Sequence, residues 1–379
     1  MKPKLALVHP YLYTKGGAER VVLKIAQHFN AKIYCSIYDK ENTFPEFSEL
    51  DVEVIKKGFM GYLPSFIPKR ARDAAISGYQ FYTLKIKDYD VVNAHGTPSE
   101  WVRNRNAPVV WYCHTPNREA FDLYEWRMRR RNLYEKLVFW SFIQAYKFFE
   151  FKTVPKIEHV FANSENTKNR LKKYLGVDAQ VLNPCVDYDR FRCDAYDKFF
   201  LYPSRITPEK RFEFAIEAFK KFSERNKGWK LVIAGALLRQ RKEHVAYYEQ
   251  IRSMLGDMGE IMLDVDSKTL TDLYARCTAV LYTPVDEDFG IVPLEAMASC
   301  KPCIAINEGG PKEVIPKEAG FLISSPAEMA EKMGYIANNI VDAEKMGKAG
   351  RAHVEKNFSW KAFLNKFERV VRQLARKPH

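Results

Sequence analysis

Nothing in this 379-residue chain approaches the roughly eighteen uninterrupted apolar residues of a membrane-spanning helix. The opening apolar run is only Leu5-Ala6-Leu7-Val8, with no small-residue cleavage site after it. It reads as a first buried strand rather than as a secretory signal. There is no internal repeat and no low-complexity tract, which sets aside solenoids, fibres and disordered tails. Cysteine is sparse and odd in number, seven residues scattered through strand-like runs. That pattern suits free thiols in a reducing cytoplasm better than a disulfide framework. Cys300-x-x-Cys303 has no second pair or histidine cluster to complete a zinc site, and it lies between a helix and a strand rather than at the start of a redox helix. A G-x-G-x-x-G fingerprint is also missing, so a dinucleotide site is disfavoured.

What remains is an ordinary globular composition, 46% apolar and 28% charged, long enough for two domains of about 190 residues. The formal net charge is +13. Its densest part is the stretch from Arg127 to Lys156, where eight cations (Arg127, Arg129, Arg130, Arg131, Lys136, Lys147, Lys152, Lys156) face two anions, Glu135 and Glu150. Trp126, Tyr134, Leu137, Phe139, Trp140, Phe142, Tyr146, Phe148, Phe149 and Phe151 share it. Two readings stand side by side for residues 126–156: peripheral contact with an anionic membrane, or a helix pair with aromatics in the core and cations in solvent. A nucleic-acid-binding module would also use the charge, yet it leaves the carboxylate and arginine–lysine loops described below without a purpose. No nucleic acid is expected as a partner.

Strand-like runs alternate with amphipathic helices throughout. They lie at 5–9, 31–38, 52–55, 90–94, 108–113, 159–163 and 180–186, then at 199–204, 230–235, 260–265, 279–283, 302–306 and 320–323. Continuous Val/Ile/Leu/Ala runs separated by helices mean parallel strands buried on both faces, an α/β class. Residues 17–29 carry Val21, Val22, Ile25 and Phe29 at helical spacing. The two series imply two doubly wound sheets joined through the polar segment 186–198. The expected domains are 1–187 with 359–379, and 198–358. Ligands of doubly wound sheets bind beyond the carboxyl ends of the strands, so an interdomain cleft is the expected site.

Four loops at strand ends carry the chemistry. In 281–298, Glu287 and Glu295 are separated by seven residues across a strand–loop–helix turn, with Pro293 expected near the helix start and Glu295 in its first turn. Free backbone N–H groups at such a helix start suit an anion. In 203–211, Arg205 and Lys210 flank a turn broken by Pro208 and can converge on a diphosphate. His114 lies just past the run 108–113, followed by Thr115, Pro116 and Arg118. Gly16 and Gly17 open the helix after the first strand, where backbone can approach a ligand. Asp286-x-Asp288 precedes a helix late in the chain and is not taken as a metal site.

At these residues the chain resembles the retaining family-four GT-B glycosyltransferases, whose signature is an E-x7-E before an Ala-Met-Ala helix. The string Tyr112-Cys113-His114-Thr115-Pro116 with Arg118 is similar to the WbaZ-type mannosyltransferase branch in particular. The resemblance covers nearly the whole chain. It implies two Rossmann-like domains facing a deep cleft, with a C-terminal helix crossing back to the first domain. It implies Glu287 on the donor sugar's hydroxyls, Glu295 on the nucleotide ribose, and the backbone of Phe289, Gly290 and Ile291 over the sugar and distal phosphate. Arg205 and Lys210 would neutralise the leaving diphosphate, and His114 would contact the sugar. Gly16 and Gly17 would lie over the donor phosphates, and Arg118 would meet acceptor or phosphate. Gly309-Gly310-Pro311 matches a further family element.

The expected activity is retaining, metal-independent transfer of a sugar, with no cofactor beyond a nucleotide-sugar donor. GDP-mannose is the favoured donor and UDP-glucose or UDP-N-acetylglucosamine the alternative. The acceptor would be a glycan or polyprenyl-linked glycan, met by a cytoplasmic enzyme peripheral to the inner face of the membrane.

Overall fold

A computed structural model describes residues 2–376 apart from 63, 65, 66, 68 and 130. Arg130 of the basic segment and Lys377 of the tail lie outside the described residues. The chain forms two compact units, residues 1–184 with 361–379, and residues 185–360.

The first unit holds a seven-stranded parallel sheet: β1 (Leu5–Leu12), β2 (Lys32–Tyr38), β3 (Val52–Val54), β4 (Val91–His95), β5 (Val109–Cys113), β6 (His159–Ala162) and β7 (Gln180–Val181). Their order is β3-β2-β1-β4-β5-β6-β7. Every residue of β4 and β5 is buried, as expected of strands covered by helices on both faces. The run expected over 180–186 stops at Val181. Pro184 has no N–H to give a ladder, and beyond Leu182 the chain is held instead by the Asn183 side chain, whose Nδ2 donates to Asn163 O at 3.0 Å. The tail helix Trp360–Ala375 belongs to this unit from residue 361. Phe363 and Phe367 lie against Tyr112, Phe161 and Phe29, and Glu368 pairs with His28 at 2.6 Å.

The second unit holds six parallel strands: β8 (Phe199–Pro203), β9 (Lys230–Gly235), β10 (Gly259–Leu263), β11 (Ala279–Tyr282), β12 (Cys303–Ile306) and β13 (Gly320–Ile323). Their order is β10-β9-β8-β11-β12-β13. In both sheets the winding reverses beside the first strand, between β1 and β4 and between β8 and β11. Loops at those reversals are where doubly wound folds hold ligands.

Two of the seven cysteines are not free, contrary to expectation. Cys193 and Cys300 form a disulfide with Cα atoms 5.4 Å apart, while Cys35, Cys113, Cys185, Cys277 and Cys303 are reduced and buried. The partners are 107 residues apart in sequence, so no local spacing announces them. Tertiary contacts bring them together: Tyr196 Oη donates to Cys300 O at 2.6 Å, and the buried Lys301 ammonium donates to Ala195 O. The segment expected as a linker is thereby pinned within the second unit.

One buried pair in the first unit makes a stability prediction. Glu100 and Glu150 are fully buried, and Trp101 Nε1 donates to Glu150 Oε2 at 2.7 Å. Burial first, and the facing Glu150 carboxyl second, push the Glu100 carboxyl well up; burial pushes Glu150 up as well. Such neighbours hold a proton between them rather than two charges. A carboxyl raised on folding stabilises at low pH, and that contribution is lost as pH rises through the folded value. Glu150→Gln keeps an acceptor for Trp101 and supplies a permanent N–H to Glu100. It is expected to stabilise the protein by about 1–2 kcal/mol, more at about pH 9 than at about pH 6 by denaturant titration. A destabilised variant, or no dependence on pH, contradicts the shared proton.

Candidate functional site

In the second unit the reversal between β8 and β11 gathers the loops 204–211 and 283–290. Tyr202 on β8 ties them together. Its hydroxyl donates to Lys210 O and accepts from Thr283 N at 3.0 Å. Arg211, at φ +51°, sends Nε to Thr283 O at 2.8 Å and Nη2 to Pro284 O at 3.1 Å, and pairs with Glu308 at 2.9 Å. Val285 N donates to Glu209 O at 2.9 Å. On this frame Lys210 Nζ meets Glu287 Oε2 at 2.6 Å, with side chains only 13% and 23% exposed.

Burial raises the Glu287 carboxyl, but the Lys210 ammonium, the Arg205 guanidinium and a hydrogen bond from Tyr282 outweigh it. The net position is below the ordinary carboxylate value, so Glu287 is an ion at neutral pH. Arg205, Lys210 and Glu287 therefore form one electrostatic group. It combines an anion acceptor and a hydroxyl acceptor, the two functions that a sugar diphosphate requires.

The Glu287 loop ends at Gly290, whose φ of +89° caps the helix Ile291–Ala298. The helix starts two residues earlier than expected, so Glu295 falls in its second turn rather than its first. Tyr274 Oη donates to Glu295 Oε2 at 2.8 Å. Phe289 and Gly290 are buried.

Gly309 and Gly310 press against this loop from behind. Gly310 N donates to Glu287 O at 2.8 Å. A Cβ on Gly310 would lie 2.2 Å from Phe289 O, and one on Gly309 would lie 2.4 Å from Glu287 O. The motif acts through close backbone approach.

In the first unit a second polar group lies at the ends of β1, β4 and β5. His114 Nε2 is 3.1 Å from His95 Nδ1, His95 Nε2 is 2.7 Å from Asn93 Oδ1, and His9 Nδ1 is 3.0 Å from His95 O. Asn93 Nδ2 donates to Val110 O at 3.1 Å, so its Oδ1 is the acceptor facing His95. The tautomers follow in sequence: His95 carries its proton on Nε2, its Nδ1 accepts, and His114 is the Nε2–H form. Burial, and then the charge of His9, push the His114 imidazole down to about 3.

An imidazole lowered on folding contributes stability above 6.5 that is lost as pH falls toward the folded value. By NMR of nitrogen-labelled histidine, His114 is expected to remain neutral, with Nε2 protonated, at about pH 5. Titration near the ordinary value would contradict the chain of tautomers.

Gly16 caps the helix Gly17–Phe29, and the Glu19 carboxylate lies against it. Thr14 Oγ1 donates to Glu19 Oε1 at 2.9 Å, and His9 Nε2 is 3.9 Å from the same oxygen. Among the described residues, apart from its chain neighbours and its own helix backbone, no atom lies within 4 Å of where a Cβ of Gly17 would stand. Arg118 is paired with Asp122 at 2.8 Å, and Arg170 stands 3.8 Å from the same carboxylate.

Sequence reasoning passed over His9, Asn93, His95, Tyr202, Arg211, Tyr274 and Tyr282 as functional neighbours. Asn93-x-His95 at a strand end was the available signal. The tyrosines gave none: Tyr202 and Tyr282 lie in strands and Tyr274 in the helix Ser267–Arg276, where buried aromatic residues read as core.

The chain matches the family model described as Glycosyltransferase Family 4 over residues 15–190 and that described as Glycosyl transferases group 1 over residues 190–353. It is 30% identical to the Alpha-1,3/1,6-mannosyltransferase ALG2 of Homo sapiens over 98% of this chain and 96% of that protein. The Saccharomyces cerevisiae protein of the same name is 28% identical, over 98% and 85%. Among solved structures, sucrose-phosphate synthase from Thermosynechococcus elongatus superposes with a TM-score of 0.76 at 18% identity, over 98% of this chain and 99% of that one. Anabaena HepE in complex with UDP-glucose gives 0.76 at 17%, over 98% and 100%. At those identities the structural likeness shows a shared fold.

Proposed function

The chain belongs to the family-four GT-B glycosyltransferases and is a hexosyltransferase, and from that premise we propose that it is a retaining mannosyltransferase using GDP-mannose. The observation that carries this reading is the ionised Glu287 held against Lys210 beside Arg205, where the second sheet reverses. Resemblance to mannosyltransferases from end to end of the chain supports the sugar.

In the proposed reaction Arg205 and Lys210 hold the diphosphate, and their positive charge counts most as the anomeric C–O bond breaks and negative charge grows on the leaving group. Backbone N–H groups at Phe289, Gly290 and Ile291 add to that field. Glu287, committed to an ion pair, accepts sugar hydroxyls rather than attacking carbon. Glu295 takes the ribose. The acceptor hydroxyl then attacks the anomeric carbon on the face the diphosphate leaves and gives its proton to the departing phosphate oxygen, so configuration is retained with neither a covalent carboxylate intermediate nor a metal. His114, neutral, is proposed to accept from a sugar hydroxyl. Gly16 and Gly17 bring backbone to the phosphates, and Arg118 would have to exchange Asp122 for an acceptor. The acceptor is proposed to be a lipid-linked glycan, met at the cytoplasmic face of a membrane.

A donor panel tests the reading. Purified protein should hydrolyse or transfer from GDP-mannose at least about tenfold faster than from UDP-glucose, UDP-N-acetylglucosamine or ADP-glucose. Preference for a UDP sugar would assign the same site to the alternative donor.

A further inference from the structure

The helix Leu133–Thr153 is apolar on two opposite faces. Its inner face is accounted for. Tyr146 and Phe149 lie 5.3 and 5.2 Å from Trp101, Phe139 stacks on Tyr124 at 5.8 Å, and Ile143 and Glu150 are buried. A capping box of Asn132 and Glu135 fixes the first turn. These contacts prevent the helix from rolling to hide its other side.

That other side carries Leu133 (85% exposed), Leu137 (63%), Trp140 (48%), Phe148 (62%) and Phe151 (50%). At 3.6 residues per turn these five fall within about a quarter of the circumference, along a helix of about 30 Å. Single exposed apolar residues are ordinary on a protein surface, but an aligned row of large ones marks a surface that is covered in use.

Charge selects the occupant. Arg129, Lys152 and Lys156 are exposed around the row and Lys136 is half-exposed beside it, while Glu150 is buried and Glu135 is engaged in the cap. A second copy of the chain docking by a two-fold axis would set these cations against their own kind. A row of Leu, Trp and Phe edged by Lys and Arg matches the boundary of an anionic bilayer, apolar groups among acyl chains and cations among head-group phosphates.

We propose that the outer face of Leu133–Thr153 docks the enzyme on anionic lipid by inserting Leu133, Leu137, Trp140, Phe148 and Phe151. The docking goes beyond the transfer reaction and does not depend on which sugar is transferred.

The test is flotation of the full chain with vesicles of phosphatidylcholine alone and of phosphatidylcholine mixed with phosphatidylglycerol. Binding is expected on the mixed vesicles only, weakening as salt is raised. The combined variant Leu137→Ser, Trp140→Ser, Phe148→Ser should lose it by about tenfold or more while keeping wild-type circular dichroism and donor hydrolysis. Lys136→Glu with Lys152→Glu, which leaves the apolar row intact, should also weaken it. Vesicle binding unchanged in the serine variant, or absent in the wild type, overturns the proposal. So does a wild-type dimer in sedimentation that the serine variant dissolves, which would give the face to a second copy. Donor hydrolysis is read separately, so failure to dock and failure of the mannosyl reading are distinguishable.

Discussion

Lys210→Ala is expected to lower turnover by about two to three orders of magnitude while the protein remains folded. Lys210 is the group that contacts Glu287, and in the proposed reaction its ammonium is the point charge that receives the departing diphosphate. Its loss removes an interaction strongest in the transition state, so kcat should fall more than KM rises. Glu287 would be left without its ammonium partner, and its carboxyl, whose position Lys210 lowers, should move upward. Arg205→Ala should behave likewise, since Arg205 adds to the same field. Steady-state kinetics on GDP-mannose with circular dichroism as the folding control decides the matter. Near-normal turnover in a variant would remove that residue from the reaction.

Gly310→Ala is the second large effect. The added Cβ would meet Phe289 O at 2.2 Å and Phe289 Cα at 2.4 Å, and neither is the end of a flexible side chain. The loop from Asp286 to Gly290 must move, and with it Glu287 and the start of the helix Ile291–Ala298. A displacement of about 1 Å at reacting groups costs on the order of a hundredfold in rate. Gly309→Ala adds a φ of +59° to the same kind of clash, with Glu287 O at 2.4 Å. Gly334→Ala is the control. It lies in the helix Pro326–Asn338 with nothing within 4 Å of a Cβ, and should be neutral or stabilise by up to about 1 kcal/mol. Equal activity in the Gly310 and Gly334 variants would show that the glycine pair does not buttress the donor loop.

The fold was legible because parallel strands buried on both faces leave short apolar runs that alternate with amphipathic helices along the chain. Every run from 5–9 to 320–323 became a strand, and the helix Gly17–Phe29 has the bounds its periodicity implied. Where local chemistry competes with periodicity, legibility ends. Pro184 cut β7 short, and Gly290 at positive φ started the helix Ile291–Ala298 before Pro293. Long-range relations left no local trace. The Cys193–Cys300 bond, the contact of His95 with His114 and the backbone contact between Gly310 and Phe289 each join separate segments of the sequence. For Leu133–Thr153 the sequence left membrane contact and core packing side by side, since aromatics on both faces of one helix fit either until the structure shows which side is covered.

The measurement that bears most directly on retaining mannosyl transfer is the anomeric configuration of the product. With GDP-α-mannose and a lipid-linked glycan acceptor, proton NMR of the first product formed should show a new α-mannoside whose appearance depends on Arg205 and Lys210. A β-linked product, or one formed equally well without those two cations, would contradict the account.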